Sequence, residues 1–234
     1  MNIIVTGASR GIGFEVVKVL AKHKQNSIVV ISRNGKALKE LAAECTRLYP
    51  EAKVIPYEFD LKQFEFYPFI VQRLETFIRK CDILVNNAGK MVNKPFSKFD
   101  LTDFDDTFNV NIKSPFFLIQ ALLPMMNKGA HIVNIGSIGG VQGSRKFPGL
   151  SAYSASKGAL TVLTEALAEE LDEMEIKVNC LALGAVQTEM FARAFPGAKA
   201  LQNPAQIAHF IADFCINGPK YFNGKVIPVS MSVP

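Results

Sequence analysis

The chain has 234 residues, 49% of them hydrophobic, with a net charge of +5 and four cysteines. That is enough to bury a full core in one domain spanning residues 1–234, without disulfide or metal staples. The positive charge is interleaved with acids and forms no basic block, which argues against nucleic acid. The longest uncharged helical stretch, residues 114–127, contains Pro115 and Pro124 and is too short for a membrane span. Cys45, Cys81, Cys180 and Cys215 are scattered without a C-x-x-C pair, and a strand begins at residue 2. These features predict reduced thiols, no signal peptide and a cytoplasmic protein.

Apolar runs predict strands at 3–5, 28–32, 54–56, 83–86, 131–135, 177–181 and 226–229. Helical patterns fall between them at 11–22, 36–48, 66–80, 102–126, 152–173 and 205–216. Near-continuous apolar strands alternating with helices predict an α/β fold. The expected architecture is a three-layer doubly wound Rossmann arrangement on a seven-stranded parallel sheet, with its ligand crevice at the carboxyl ends of the strands.

The first strand runs into Thr6-Gly7-Ala8-Ser9-Arg10-Gly11-Ile12-Gly13. Glycines at a strand–turn–helix junction let a pyrophosphate approach backbone, and the helix start supplies unpaired N–H groups. The spacing is G-x-x-x-G-x-G. The second strand ends in Ser32-Arg33-Asn34, without the carboxylate that would take a ribose 2′-hydroxyl. Arg10 and Arg33 instead suit a 2′-phosphate, so NADP (NADPH) is preferred over NAD; two solvated surface arginines are the plainer alternative.

Three tyrosines have lysine four residues later: Tyr49 with Lys53, Tyr153 with Lys157, and Tyr221 with Lys225. Pro50 and Asn223-Gly224 break helix around the first and third, so only Tyr153 and Lys157 share a helix face. A cation there favours the phenolate and brings Tyr153 into range for proton transfer to a carbonyl oxygen, or from an alcohol in reverse. Ser137, after the fifth strand, is placed to donate to the same oxygen.

With these segments in this order, the chain resembles the short-chain dehydrogenase/reductase family, compact single-domain type, over essentially its full length. Asn86-Asn87-Ala88-Gly89, Asp60, Asn109-Val110-Asn111 and 132–137 extend the match. The resemblance implies a tetrad of Asn111, Ser137, Tyr153 and Lys157. In that scheme Asn111 holds a water that links Lys157 to solvent, and Lys157 also binds the nicotinamide ribose. It further implies cofactor contacts from Gly7, Ser9, Arg10, Gly11, Ile12, Gly13, Arg33, Asp60, Leu61, Asn87, Ala88, Gly89, Tyr153, Lys157, Gly184, Val186 and Thr188, with Asp60 near the adenine and Thr188 on the carboxamide.

Three departures stand out: Leu183-Gly184 where the family has Pro-Gly, extra residues at 142–149, and no Asp-Gly-Gly in 225–234. Residues 188–203, with Met190, Phe191, Phe195 and Pro196, read as an apolar lid with Gly197 as hinge. The expected activity is NADPH-dependent reduction of a small or acyl-thioester carbonyl, or the reverse, in the manner of a 3-oxoacyl carrier-protein reductase. The alternative is a non-catalytic NADP-binding regulator, which would be expected to have lost a tetrad member. An epimerase of the extended type needs a longer substrate region. His23, His131 and His209 lack ligand spacing, so no metal is expected. Family members pair through helices matching 102–126 and 152–173, which implies a homodimer or homotetramer.

Overall fold

The computed structural model describes residues 1–231. Residues 232–234, the end of the C-terminal departure and of the 1–234 domain, lie outside the described residues. Seven strands form one sheet in the order β3-β2-β1-β4-β5-β6-β7. They are β1 (Asn2–Thr6), β2 (Ser27–Ser32), β3 (Lys53–Glu58), β4 (Cys81–Asn86), β5 (Met126–Ser137), β6 (Lys177–Leu183) and β7 (Val226–Val229). Every neighbouring pair is parallel, with Ile3 standing opposite both Ile28 and Ile83.

Both faces of the sheet are covered, which explains why its strands read as unbroken apolar runs. The period of two sorts their side chains. Ile3, Val5, Ile28 and Val30 point into one core, against α1 (Gly11–Leu20), α2 (Gly35–Leu48) and α8 (Pro204–Asn217). Ile4, Val29 and Ile31 point into the other, against α3 (Tyr67–Glu75), α5 (Ser114–Leu122) and α6 (Ser151–Glu170). Each fully buried aliphatic side chain contributes about 1.5–3 kcal/mol. The chain reverses winding between β1 and β4, so the crevice opens beyond Gly7 and Asn87.

Helix starts follow local chemistry. The Asn34 side chain accepts from Ala37 N, and Asp100 from Asp103 N at the head of α4 (Leu101–Phe108). Asn203 and Gln206 form a reciprocal capping box with Pro204 in the first turn of α8.

The sequence departs from the structure chiefly at 102–126, expected as one helix. The chain forms α4, a π turn at Asn109–Lys113, α5, and a 3-10 turn at Leu123–Met125; Met126 already belongs to β5. Pro115 enters where α5 restarts and Pro124 sits in the closing turn, and neither can donate a ladder hydrogen bond. The helix expected at 66–80 is α3 alone, and β5 is longer than its apolar centre. The lid segment carries a short helix, α7 (Glu189–Ala194).

Candidate active site

The glycine turn is locked to the end of β4. Gly7 and Gly11 have φ of +66° and +62°, in the left-handed region. A Cβ on Gly7 would come within 2.7 Å of Ala88 Cα, and one on Gly13 would run into the Asn87 amide nitrogen and lie 2.8 Å from Gly7 O. Asn87 Nδ2 donates to the Thr6 and Gly7 carbonyls at 2.9 and 3.1 Å. The Thr6 hydroxyl accepts from the amides of Asn87 and Ala88 at 3.0 and 3.1 Å.

Arg10, the extended N-cap of α1, makes no side-chain cap. The first N–H groups of α1 are therefore without a side-chain cap at the positive end of the helix. Ser9 is half-buried in the turn, Ile12 packs on the core, and Gly11 lies 3.6 Å, measured from a built Cβ, from the Thr188 methyl. A cradle shaped by missing side chains, at an uncapped helix start, fits a dinucleotide's pyrophosphate.

Next to the glycine turn's strand, Arg33 is exposed after β2. The Asp60 carboxylate accepts from Lys62 N at 3.0 Å. The Leu61 carbonyl is fixed by the Tyr67 and Ser114 hydroxyls at 2.7 and 2.9 Å. A residue the sequence reading missed ties the two loops together. The Asp106 carboxylate takes Lys62 Nζ on one oxygen at 2.9 Å and Lys90 Nζ on the other at 3.0 Å. These two hydrogen bonds, Lys62 first, hold its carboxyl below the usual range.

On the far side of the crevice, α6 buries Tyr153, Ser156, Lys157, Leu160 and Thr164 along one stripe. Tyr49 ends α2 and Tyr221 follows a 3-10 turn, so neither shares a helix face with its lysine. Burial pushes the Tyr153 phenol above its ordinary value, and a hydrogen bond with Ser137 pulls the other way. Lys157 Nζ donates to the Ile135 carbonyl at 2.7 Å. Burial brings that ammonium down to about 8, with Cys180 opposing. The expected lowering of the phenol by Lys157 is not among the influences on Tyr153.

Asn111 is fully buried in the π turn. Its Nδ2 donates to Lys90 O at 2.8 Å and Ser156 Oγ at 2.9 Å, and its Oδ1 accepts from Lys90 N at 2.8 Å. The side chain is thus committed to the Gly89–Lys90 loop and to α6. A Cβ on Gly89 would lie 3.6 Å from Asn111 Oδ1 and 3.8 Å from Lys157 Nζ, so the loop runs between them. Behind them, Asn86, Asn134 and Thr164 form a buried chain of hydrogen bonds at 2.9 Å each.

Leu183 simply extends β6 opposite Ser137 and Val229, and Gly184 N donates to Val229 O at 2.9 Å. Val186 is buried and bridges to Gln202. Thr188 caps α7 by accepting from Phe191 N at 3.1 Å. The lid rests on Phe147 through Phe195, with ring centres 6.1 Å apart, and Asn93 Nδ2 donates to Ala194 O at 2.6 Å. The extra residues 142–149 thus meet the lid. A groove of about 1130 Å³ also borders them, lined by Phe96, Phe147 and outward residues of α6 such as Ala155 and Val162; Tyr153 and Lys157 do not line it.

Among the described residues no three His, Cys, Asp or Glu side chains gather as metal ligands, and no helix is long and apolar enough to cross a membrane.

Known proteins resemble this chain over most of its length. A family profile described as short chain dehydrogenase matches residues 1–199. An uncharacterised oxidoreductase of Staphylococcus aureus (strain USA300) is 30% identical over 228 residues, 97% of this chain and 95% of the relative. Ketoacyl reductase HetN of Nostoc sp. is 31% identical over 216 residues, 90% of this chain and 73% of the relative. A short chain dehydrogenase from Burkholderia cenocepacia, solved in complex with NADP, superposes with a TM-score of 0.86 at 26% identity, covering 97% of this chain and 95% of that one. With a glycine cradle, an α6 tyrosine–lysine pair and a family match across most of its length, the chain belongs to the short-chain dehydrogenase/reductase family of oxidoreductases.

Proposed function

We propose that this protein is an NADPH-dependent carbonyl reductase, or the corresponding alcohol dehydrogenase, acting as a single cofactor-binding domain with a lid at 188–203. The observation that carries the reading is that Tyr153 pairs with Ser137 and Lys157 lies beside Gly89, at the carboxyl ends of β4 and β5. A nicotinamide cofactor, when bound, supplies or accepts the hydride. Gly7, Ser9, Gly11, Ile12 and Gly13 would hold its pyrophosphate. Asp60, Leu61, Asn87 and Ala88 would form the adenosine side, Gly89 would lie next to Lys157, and Gly184, Val186 and Thr188 would flank the nicotinamide.

The protein's own chemistry is proton handling. Ser137 Oγ orients the substrate oxygen and Tyr153 Oη gives it a proton in reduction or takes one in oxidation. Burial keeps the phenol in its protonated form, the form that donates. Lys157, brought to about 8, exchanges its proton close to neutral pH and so can recharge the phenol. Asn111 holds the Gly89–Lys90 loop and α6 in place. Its side chain is spent on those groups, so a relay water linking Lys157 to solvent would have to bind at another atom.

Arg10 and Arg33 support NADPH over NADH. The likeness to a ketoacyl reductase, with Phe147, Phe191 and Phe195 at the mouth, supports a 3-oxoacyl thioester or another small carbonyl as substrate. Four buried free thiols suit a reducing compartment such as the cytoplasm. Phe116, Phe117 and Val162 are exposed on α5 and α6, which supports a homodimer or tetramer through those helices. Sedimentation as a monomer would remove that part of the reading.

The test is oxidation of NADPH and NADH by the purified protein with acetoacetyl thioesters, diketones and aromatic aldehydes. Turnover with NADPH on at least one carbonyl is expected. Tight NADPH binding without turnover on any member would favour a regulatory role.

A further inference from the structure

Arg10 is engaged with the lid. Its Nη1 donates to Glu189 Oε2 at 2.7 Å, and Arg193 Nη2 reaches the same oxygen at 3.4 Å. Glu189 opens α7 directly after Thr188, whose methyl faces Gly11. The other end of α7 rests on the substrate-side loops through Asn93 and Phe147. Six residues of helix therefore connect the guanidinium at the cofactor end to the groups at the mouth.

The pair is 56% and 60% exposed, so it is screened by water and weak. A phosphate dianion offers Arg10 more charge and several acceptor oxygens, and displaces one carboxylate. Glu189 is not stranded by the exchange, because Arg193 stands one turn along the same helix.

We infer that Glu189 is a specificity-determining residue that competes with the cofactor's 2′-phosphate for Arg10. The phosphate then frees α7 from the glycine turn, and a cofactor lacking it leaves the latch closed. This rests on the reading of Arg10 as a 2′-phosphate ligand.

The experiment measures dissociation constants of NADPH and NADH for the wild type, R10A, E189Q and R10A/E189Q, with hydrogen exchange of residues 189–195 under saturating NADP+ or NAD+. Glu189→Gln is expected to tighten NADPH about two- to five-fold and leave NADH unchanged. In the Arg10→Ala background that gain should vanish. Exchange at 189–195 should be faster with NADP+ than with NAD+ in the wild type and equal in E189Q. Equal tightening of both cofactors, or a gain that persists without Arg10, would overturn the inference, since Glu189 would then act on the shared pyrophosphate. If R10A itself leaves the NADPH-to-NADH ratio unchanged, the phosphate reading of Arg10 fails first and the latch falls with it.

Discussion

The glycine turn and the lid face each other across one crevice and are held by opposite means. The turn is fixed by main-chain and amide hydrogen bonds, with glycines packed so closely that an added methyl group collides at Gly7 and Gly13. The 188–203 segment is anchored at its far end by a main-chain bond from Gln187 N to Gln202 O. Its α7 half, however, is fixed by exposed ion pairs, one asparagine contact and aromatic edges, and Gly197, the proposed hinge, has nothing within 4 Å of a built Cβ. Buried, fully paired groups give a rigid wall, whereas screened contacts give one that opens at low cost. On the proposed function, the rigid wall would meet the part common to all dinucleotides and the loose wall what varies, the substrate and the ribose phosphate.

The sharpest way to break this comparison is to disturb the proton path while leaving both walls intact. Lys157→Met should cut turnover by about 10²–10⁴-fold. In the wild type, carbonyl reduction should slow as pH rises through about 8, because Lys157 is charged below that value and neutral above it. A pH–rate profile flat from 7 to 9 would remove Lys157 from the relay.

The two glycine positions come next. Gly13→Ala meets Asn87, so it should lower stability by about 1–3 kcal/mol and abolish cofactor binding. Gly197→Ala meets open space and carries only backbone strain of about 1–2 kcal/mol, confined to the lid. Denaturant melts and cofactor titrations of both variants decide this; equal losses would mean that the walls are equally rigid.

A third test uses pH on the rigid interior. His131 on β5 is buried, with Nδ1 3.0 Å from Cys215 O and Nε2 3.0 Å from Asn179 Nδ2. Burial lowers it to about 4 against an ordinary 6.5, with the Cys215 contact opposing. The unfolded chain therefore binds the extra proton between those values, and stability present above pH 6.5 is lost as pH falls toward 4. The full loss is about 3 kcal/mol. Urea melts at pH 7.5 and 5 should show part of it, and His131→Gln should remove that part.

The smallest effect belongs to the lid surface. Phe195→Ala should raise KM a few-fold at unchanged cofactor affinity, as expected for a partly exposed aromatic pair worth about 0.5–1.5 kcal/mol. A matching loss of NADPH affinity would join the two walls into one unit.

The rigid half was the more legible in sequence. Glycine at positions 7, 11 and 13, and an apolar run at every strand, state backbone requirements directly, and the parallel sheet followed. The tyrosine–lysine pair was separable from its two look-alikes because proline and Asn-Gly break helix visibly. Pairings between distant side chains were not legible. Asp106 clamping Lys62 and Lys90, and Glu189 holding Arg10, depend on where loops fold back, and charged residues on polar helix faces carry no period that marks them. The π turn at Asn109–Lys113 was hidden inside a helical pattern, since helical and π stretches share composition.

The central claim is that Tyr153 moves the proton while the glycine turn supplies most of the hold on the cofactor. Its most direct measurement is Tyr153→Phe under single-turnover conditions, with NADPH affinity titrated alongside. The account predicts an unchanged dissociation constant and a rate lower by about 10²–10⁴-fold. A phenylalanine variant that turns over at the wild-type rate would contradict it.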